Sequence, residues 1–281
     1  MELQRYPTAE AFLAGAEPFL LQAEVENSLI LGVAHALASG VPAQATSPYF
    51  AAILDSEIRL CAFSSLPDKL GITRCGTSAA LALLAQDARV ACPDIDTIVG
   101  PQPTVAAFAE QFAVLRACPV RQSKAMRIHE LTAVTWPDDR PSGQFRAAQP
   151  SDLPVLTSWV REFASEVDDD QGDPEQLAAS RVVSGQLFVW DDGHPVSMAG
   201  WTGRTPHTVR VAPVYTPPPL RSRGYATACV AALSQAMLDT GVRSCCLYKD
   251  LANPTSTAIY RRIGYRAVSD AGSYTLTPSG A

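Results

Sequence analysis

The sequence predicts an α/β (α+β) fold built in two halves, and three observations lead there. The chain has 281 residues, enough for two domains, and 47% hydrophobic against 18% charged residues is the balance of an ordinary folded protein. The run Trp136-Pro137-Asp138-Asp139-Arg140-Pro141-Ser142-Gly143 is dense in turn formers and acids and marks a linker. On either side of it, apolar segments of strand length and segments of helical period follow one another in a similar order. The two domains are therefore read as residues 1–135 and 143–281.

In the first half, an early helical region runs to about Ser39. Strands are expected over residues 50–54 and 57–63 and near Leu70, then a helix over 79–88, a strand over 96–99, a helix over 104–115 and a long strand over 124–134. In the second half, residues 145–148 form a strand. Ser151 and Asp152 start a helix with Leu153, Leu156, Val160 and Phe163 on one side, and a second helix follows over 174–183. Residues 187–190, the turn Asp191-Asp192-Gly193-His194 and residues 196–201 make a hairpin.

The stretch Arg221-Ser222-Arg223-Gly224-Tyr225-Ala226 then runs straight into a helix. Cys229, Val230, Leu233, Met237 and Leu238 recur at helical spacing, and Gly241 stands where a left-handed C-cap belongs. A helix start leaves N–H groups and the positive end of the dipole facing whatever precedes it. Glycine lets backbone approach a ligand closely, and two arginines add charge-assisted contacts to phosphate oxygens. Taken alone, the string also fits an ordinary loop with solvated arginines. A second piece follows the apolar run 244–248. Asn253 stands at a helix N-cap with Pro254 at the first helical position, and Ile259, Ile263 and Gly264 complete a short helix with Tyr260 about two turns in.

Together, in this order, the two pieces resemble the GNAT superfamily of N-acetyltransferases. Arg221, Gly224 and Ala226 fill its motif Q/R-x-x-G-x-G/A, and N-x-x-S-x-x-x-Y-x-x-x-G-Y from Asn253 to Tyr265 matches its downstream half. The resemblance covers roughly residues 143–277. It implies a GNAT fold, a mixed, mostly antiparallel central sheet flanked by helices, with acetyl-CoA as cosubstrate. The implied order is strand, two helices, three strands, helix, strand, helix, two strands. It also implies that N–H groups of Ser222, Arg223, Gly224, Tyr225, Ala226 and Thr227 hold the pyrophosphate. The strand over 209–215 would pair its backbone with the pantetheine arm, with Val214, Tyr215 and the following Thr216 as cofactor-binding residues. Asn253 and Ser256 would contact that arm, and Tyr260 would face the thioester sulfur. One departure is the triple proline Pro217-Pro218-Pro219, which stiffens the approach to Arg221. The first half echoes the element order, which implies two tandem GNAT-like halves. It has no R-x-x-G-x-A string over residues 71–78, so it is expected to lack a cofactor site; an unrelated α/β domain is the alternative there.

The resulting expectation is an acetyl-CoA-dependent N-acyltransferase acting on a small-molecule or peptide amine by direct attack. The alternative is a catalytically retired acyl-CoA-binding sensor or interaction module. An amine of pKa about 10 must lose a proton before it attacks. Glu162 and Glu166, four apart on one helix face, and the loop Asp168-Asp169-Asp170 offer carboxylates, each of which also fits a solvated acidic face. Glu166 as base and Tyr260 as proton donor to the leaving thiolate are the catalytic candidates, and an N–H near Val214 and Tyr215 would stabilise the thioester oxygen. His207 is a second candidate base or a plain turn residue; His35, His129 and His194 form no triad. A formal net charge of −6 without a basic run argues against nucleic acid. No apolar run is long enough to span a bilayer and Met1 to Arg5 lack a signal-peptide arrangement, so a cytoplasmic protein is expected. Seven cysteines show no C-x-x-C spacing, and Cys229, Cys245 and Cys246 sit in apolar segments as small core residues; no metal site is expected. The sequence leaves open the acceptor, the acyl length and the oligomeric state.

Overall fold

The computed structural model describes residues 1–45, 47–167, 172–252 and 254–277. Its helices and strands fall into two runs of the same order. The first run is β1 (Glu2–Tyr6), α1 (Ala9–Leu20), α2 (Ser28–Ala38), β2 (Tyr49–Asp55), β3 (Glu57–Leu66), β4 (Lys69–Ile72), α3 (Ser78–Ala91), β5 (Thr97–Pro101), α4 (Thr104–Arg116) and β6 (Val120–Leu131). The second is β7 (Gln144–Ala147), α5 (Leu153–Val167), α6 (Pro174–Val183), β8 (Leu187–Asp191), β9 (Pro195–Thr202), β10 (Thr208–Tyr215), α7 (Tyr225–Asp239), β11 (Ser244–Asp250), α8 (Pro254–Ile263) and β12 (Arg266–Leu276).

Local chemistry accounts for the boundaries. Thr8 caps α1 by accepting a hydrogen bond from the Ala11 N–H at 3.2 Å. The Asp152 carboxylate accepts the Gln149 N–H at 2.8 Å ahead of α5, and Asp173 caps α6 through the Glu175 N–H. After α7, Gly241 takes φ 90°, the left-handed conformation that ends the helix. The strand β1 was not anticipated: Glu2–Tyr6 is mostly polar, and its pairing with β2, Tyr6 opposite Phe50, is a tertiary choice.

All strands join one sheet in the order β1-β2-β3-β4-β5-β12-β6-β11-β10-β9-β8-β7. This corrects one expectation. A single strand, β12, follows α8 among the described residues, and the place beside β11 is filled by β6, the last strand of the first run. Likewise β12 lies beside β5, and the exchanged strands pair with each other from Arg266↔Glu130 to Leu276↔Val120. The cores follow the exchange. Leu276 of β12 is buried with Ile98, Phe108 and Phe112 of the first run, while Leu131 of β6 is buried with Cys229, Leu233 and Cys245 of the second. Residues 136–142 cross between the halves as irregular chain, with the Arg140 guanidinium 4.2 Å from the Trp136 ring centroid.

Candidate active site

The site begins where two parallel strands part. β10 pairs with β11 only at Thr208↔Ser244, Val209↔Cys245 and Arg210↔Cys246. Beyond Arg210, β10 bulges between Val211 and Val214 and stays with β9, whereas β11 continues to Asp250 along β6. Backbone groups of β10 facing β11 are thereby freed along the opening. Tyr215 and Thr216 border it: Ser197 Oγ donates to the Tyr215 carbonyl at 3.2 Å and lies 2.8 Å from Thr216 Oγ1. The Tyr215 hydroxyl donates to Glu162 Oε2 at 2.6 Å. Burial and that carboxylate hold the phenol up to about 12, and the same bond, with one from Ser158, holds Glu162 below the usual carboxylate range.

Thr216 leads into the cradle. Pro217, Pro218 and Pro219 form the start of a short 3-10 turn, closed by the Leu220 N–H to the Pro217 carbonyl at 2.9 Å. Ser222 and Gly224 then take φ 63° and 82°, an alternation that turns successive N–H groups toward one side as an anion-binding nest. Gly224 is the N-cap of α7, and the helix's first internal bond is Ala228 N–H to the Gly224 carbonyl at 3.0 Å. The N–H groups of Tyr225, Ala226 and Thr227 precede that bond and point out of the helix start. Tyr225 is fixed by its hydroxyl to Asp192 at 3.0 Å. Arg223 is exposed. The Arg221 guanidinium turns back to the Thr216 carbonyl, 2.8 Å, and to Glu166, which raises its pKa.

Tyr260 on α8 meets Tyr265 edge-on at 5.8 Å, and the Tyr265 hydroxyl lies 2.8 Å from Ser234 Oγ. Burial raises the Tyr260 phenol to about 12, so it is a protonated donor at neutral pH. Asn253 and Asp168, Asp169 and Asp170 lie outside the described residues, as does the side chain of Ser256. The structure joins Arg221 with Glu166 and Val214, Tyr215 and Thr216 with the opening. His207 sits in the turn before β10, where its N–H and Nδ1 both meet Glu24 of the first half, at 2.7 and 2.9 Å. Cys229, Cys245 and Cys246 are buried core thiols, pushed up by burial, and among the described residues no cluster of three His, Cys, Asp or Glu side chains could hold a metal. No helix among the described residues is long and apolar enough to cross a membrane.

Sequence reasoning missed the part played by the first half. The N-terminal end of α2 covers the face of β10 and β11 away from α7: the Tyr248 hydroxyl donates to the Glu26 carbonyl at 3.3 Å, and Cys246 Sγ lies 3.4 Å from Ser28 Oγ. A signal was present in Arg210, a charged residue in the otherwise apolar stretch Val209 to Val214.

The corresponding place in the first half is built differently. None of residues 71–77 has a positive φ. The N–H groups of Thr73, Cys75 and Thr77 are taken by the Cys61 carbonyl, Thr104 Oγ1 and Cys75 Sγ. Arg74 is tied to Glu26 and to the Gln102 carbonyl. β4 and β5 stay close near their ends, where a Cβ on Gly100 would stand 2.8 Å from the Ile72 carbonyl oxygen.

Residues 153–265 match the model of the Acetyltransferase (GNAT) family. Three solved structures share the fold over nearly the full chain. A Drosophila protein has a TM-score of 0.68 at 12% identity, covering 98% of each chain. A tandem GNAT protein from the clavulanic acid biosynthesis pathway has 0.59 at 16%, covering 99% of this chain and 100% of its own. A GCN5-related N-acetyltransferase from Sphaerobacter thermophilus has 0.57 at 17%, covering 99% and 97%. No curated protein sequence matches the chain. Residues 153–265 are thus similar to the GNAT family, and over nearly the full chain, first half included, the fold is that of the three solved structures.

Proposed function

We propose that the chain is an acetyl-CoA-dependent N-acyltransferase that works at one site, in its second half. The observation that carries this reading is the nest at Ser222 and Gly224 on the start of α7, next to the opening between β10 and β11. A nest and a helix start suit a pyrophosphate, and free strand backbone suits an amide-bearing arm. Asn253 and Ser256 are proposed to border that arm.

In the proposed reaction the acceptor nitrogen, once deprotonated, attacks the thioester carbonyl directly. A backbone N–H of Val214 or Tyr215 stabilises the oxyanion. Tyr260, protonated at neutral pH, gives its proton to the departing thiolate. Glu166 is paired with Arg221. We propose that Arg221 turns to phosphate when CoA binds, which frees the Glu166 carboxylate to accept a proton through water. Glu166→Gln should then lower turnover while CoA affinity holds. The first half, with its occupied N–H groups and closed strands, is proposed to hold no CoA.

Thiol release from acetyl-CoA in the presence of an amine panel tests the reading. Amine-dependent release supports the enzyme. CoA binding with no release from any amine would favour the retired sensor instead.

A further inference from the structure

We infer that Arg181 and Arg210 form an anion site for the acceptor, so that the amine acetylated here carries a carboxylate or a phosphate. The inference rests on the transferase reading above. Arg210 is the last residue of β10 to pair with β11 before the strands part. Its neighbours Val209 and Val211 pack with α7, so the alternation of the strand sends Arg210 to the opposite face, beneath α2. There its guanidinium lies on bare backbone: a Cβ on Gly203 would stand 3.1 Å from Arg210 Nη2, and one on Gly32 of α2 would stand 2.5 Å from the Gly203 Cα.

Arg210 Nη1 is buried and has no hydrogen-bond partner among the described residues. Arg181, from α6, reaches the same region. Among the described residues its one hydrogen bond is a long one, Nη1 to the Ala212 carbonyl at 3.5 Å. Burial, and after it the charge of Arg210, pulls Arg181 down to about 10. The Glu24 carboxylate is held by Thr205 and His207 instead. Two like charges, one desolvated by burial and the other with a buried N–H left unbonded among the described residues, are an unfavourable arrangement that a bound anion relieves. Paired guanidinium groups match the oxygen geometry of carboxylate and phosphate. Ala212, which Arg181 touches, lies in the bulge of β10 at the opening, so an anion here anchors an acceptor beside the reacting centre.

Matched amines test this on the wild-type chain: β-alanine against its amide, and phosphoethanolamine against ethanolamine, with thiol release from acetyl-CoA as readout. The anionic member of at least one pair is expected to have a kcat/KM at least about tenfold higher. Arg210→Gln and Arg181→Gln should remove that preference, mainly through KM, while the neutral amines react as before. A second arm needs no turnover. Inorganic phosphate titrated into the CoA-saturated protein should bind the wild type and not the variants. Equal use of anionic and neutral amines, or phosphate binding unchanged in folded variants, would overturn the inference. Absence of turnover with every amine would instead sink the transferase reading, and the phosphate titration would still decide whether the anion site exists.

Discussion

Gly224 concentrates the requirements of the cradle in one residue. Its φ of 82° belongs to the region that L side chains rarely adopt, but space is not limiting, since a Cβ there would stand 3.6 Å from Pro141 Cδ. Gly224→Asp should therefore fold with a stability loss of about 1–2 kcal/mol from backbone strain. It sets a carboxylate against the pyrophosphate, and CoA affinity should fall at least about 100-fold by calorimetry. Unchanged affinity in the folded variant would remove the cradle assignment. Tyr260→Phe keeps the ring against Tyr265 and deletes the hydroxyl. Turnover should fall roughly 100-fold with CoA affinity nearly constant, and wild-type turnover would leave Tyr260 a packing residue only. Both positions were legible in the sequence, because glycine before a helix and tyrosine at fixed spacing after an N-cap are local signals. Arg181 was not, because what distinguishes it, burial with no carboxylate paired to it among the described residues, is displayed only by the folded chain.

Among the elements, α2 links the first half to the site. Gly32 is the contact point, and a methyl there would meet backbone, the Gly203 Cα at 2.5 Å, with no side chain free to swing away. Gly32→Ala should lift α2 from the β9–β10 turn and cost about 1–3 kcal/mol as overpacking, seen as a lower urea midpoint. CoA affinity should hold, because the cradle lies on α7. A variant as stable as the wild type would mean that α2 rests loosely on the sheet. Helix periodicity located α7 and its Gly241 cap, and alternation located most strands. Neither could show that β6 pairs with β11, since apolar alternation specifies a strand and a face without naming the neighbour.

In the whole molecule, each half completes its sheet with the last strand of the other. A fragment of residues 143–281 lacks β6, leaves the edge of β11 that faces it unpaired and removes Leu131 from the core. It should aggregate or fail to unfold cooperatively, since long unpaired edges recruit other chains. A stable, monomeric fragment would contradict the exchanged sheet. The intact chain, with two similar folds, is expected to have one cofactor site, because among the described residues only 221–227 combine a nest with a free helix start. The most direct measurement is a calorimetric titration of CoA into the intact chain and into Arg221→Glu. One equivalent bound by the wild type, and none by the charge-reversed variant, is the expected result. Two equivalents, or tight binding that survives Arg221→Glu, would contradict a single site at the start of α7.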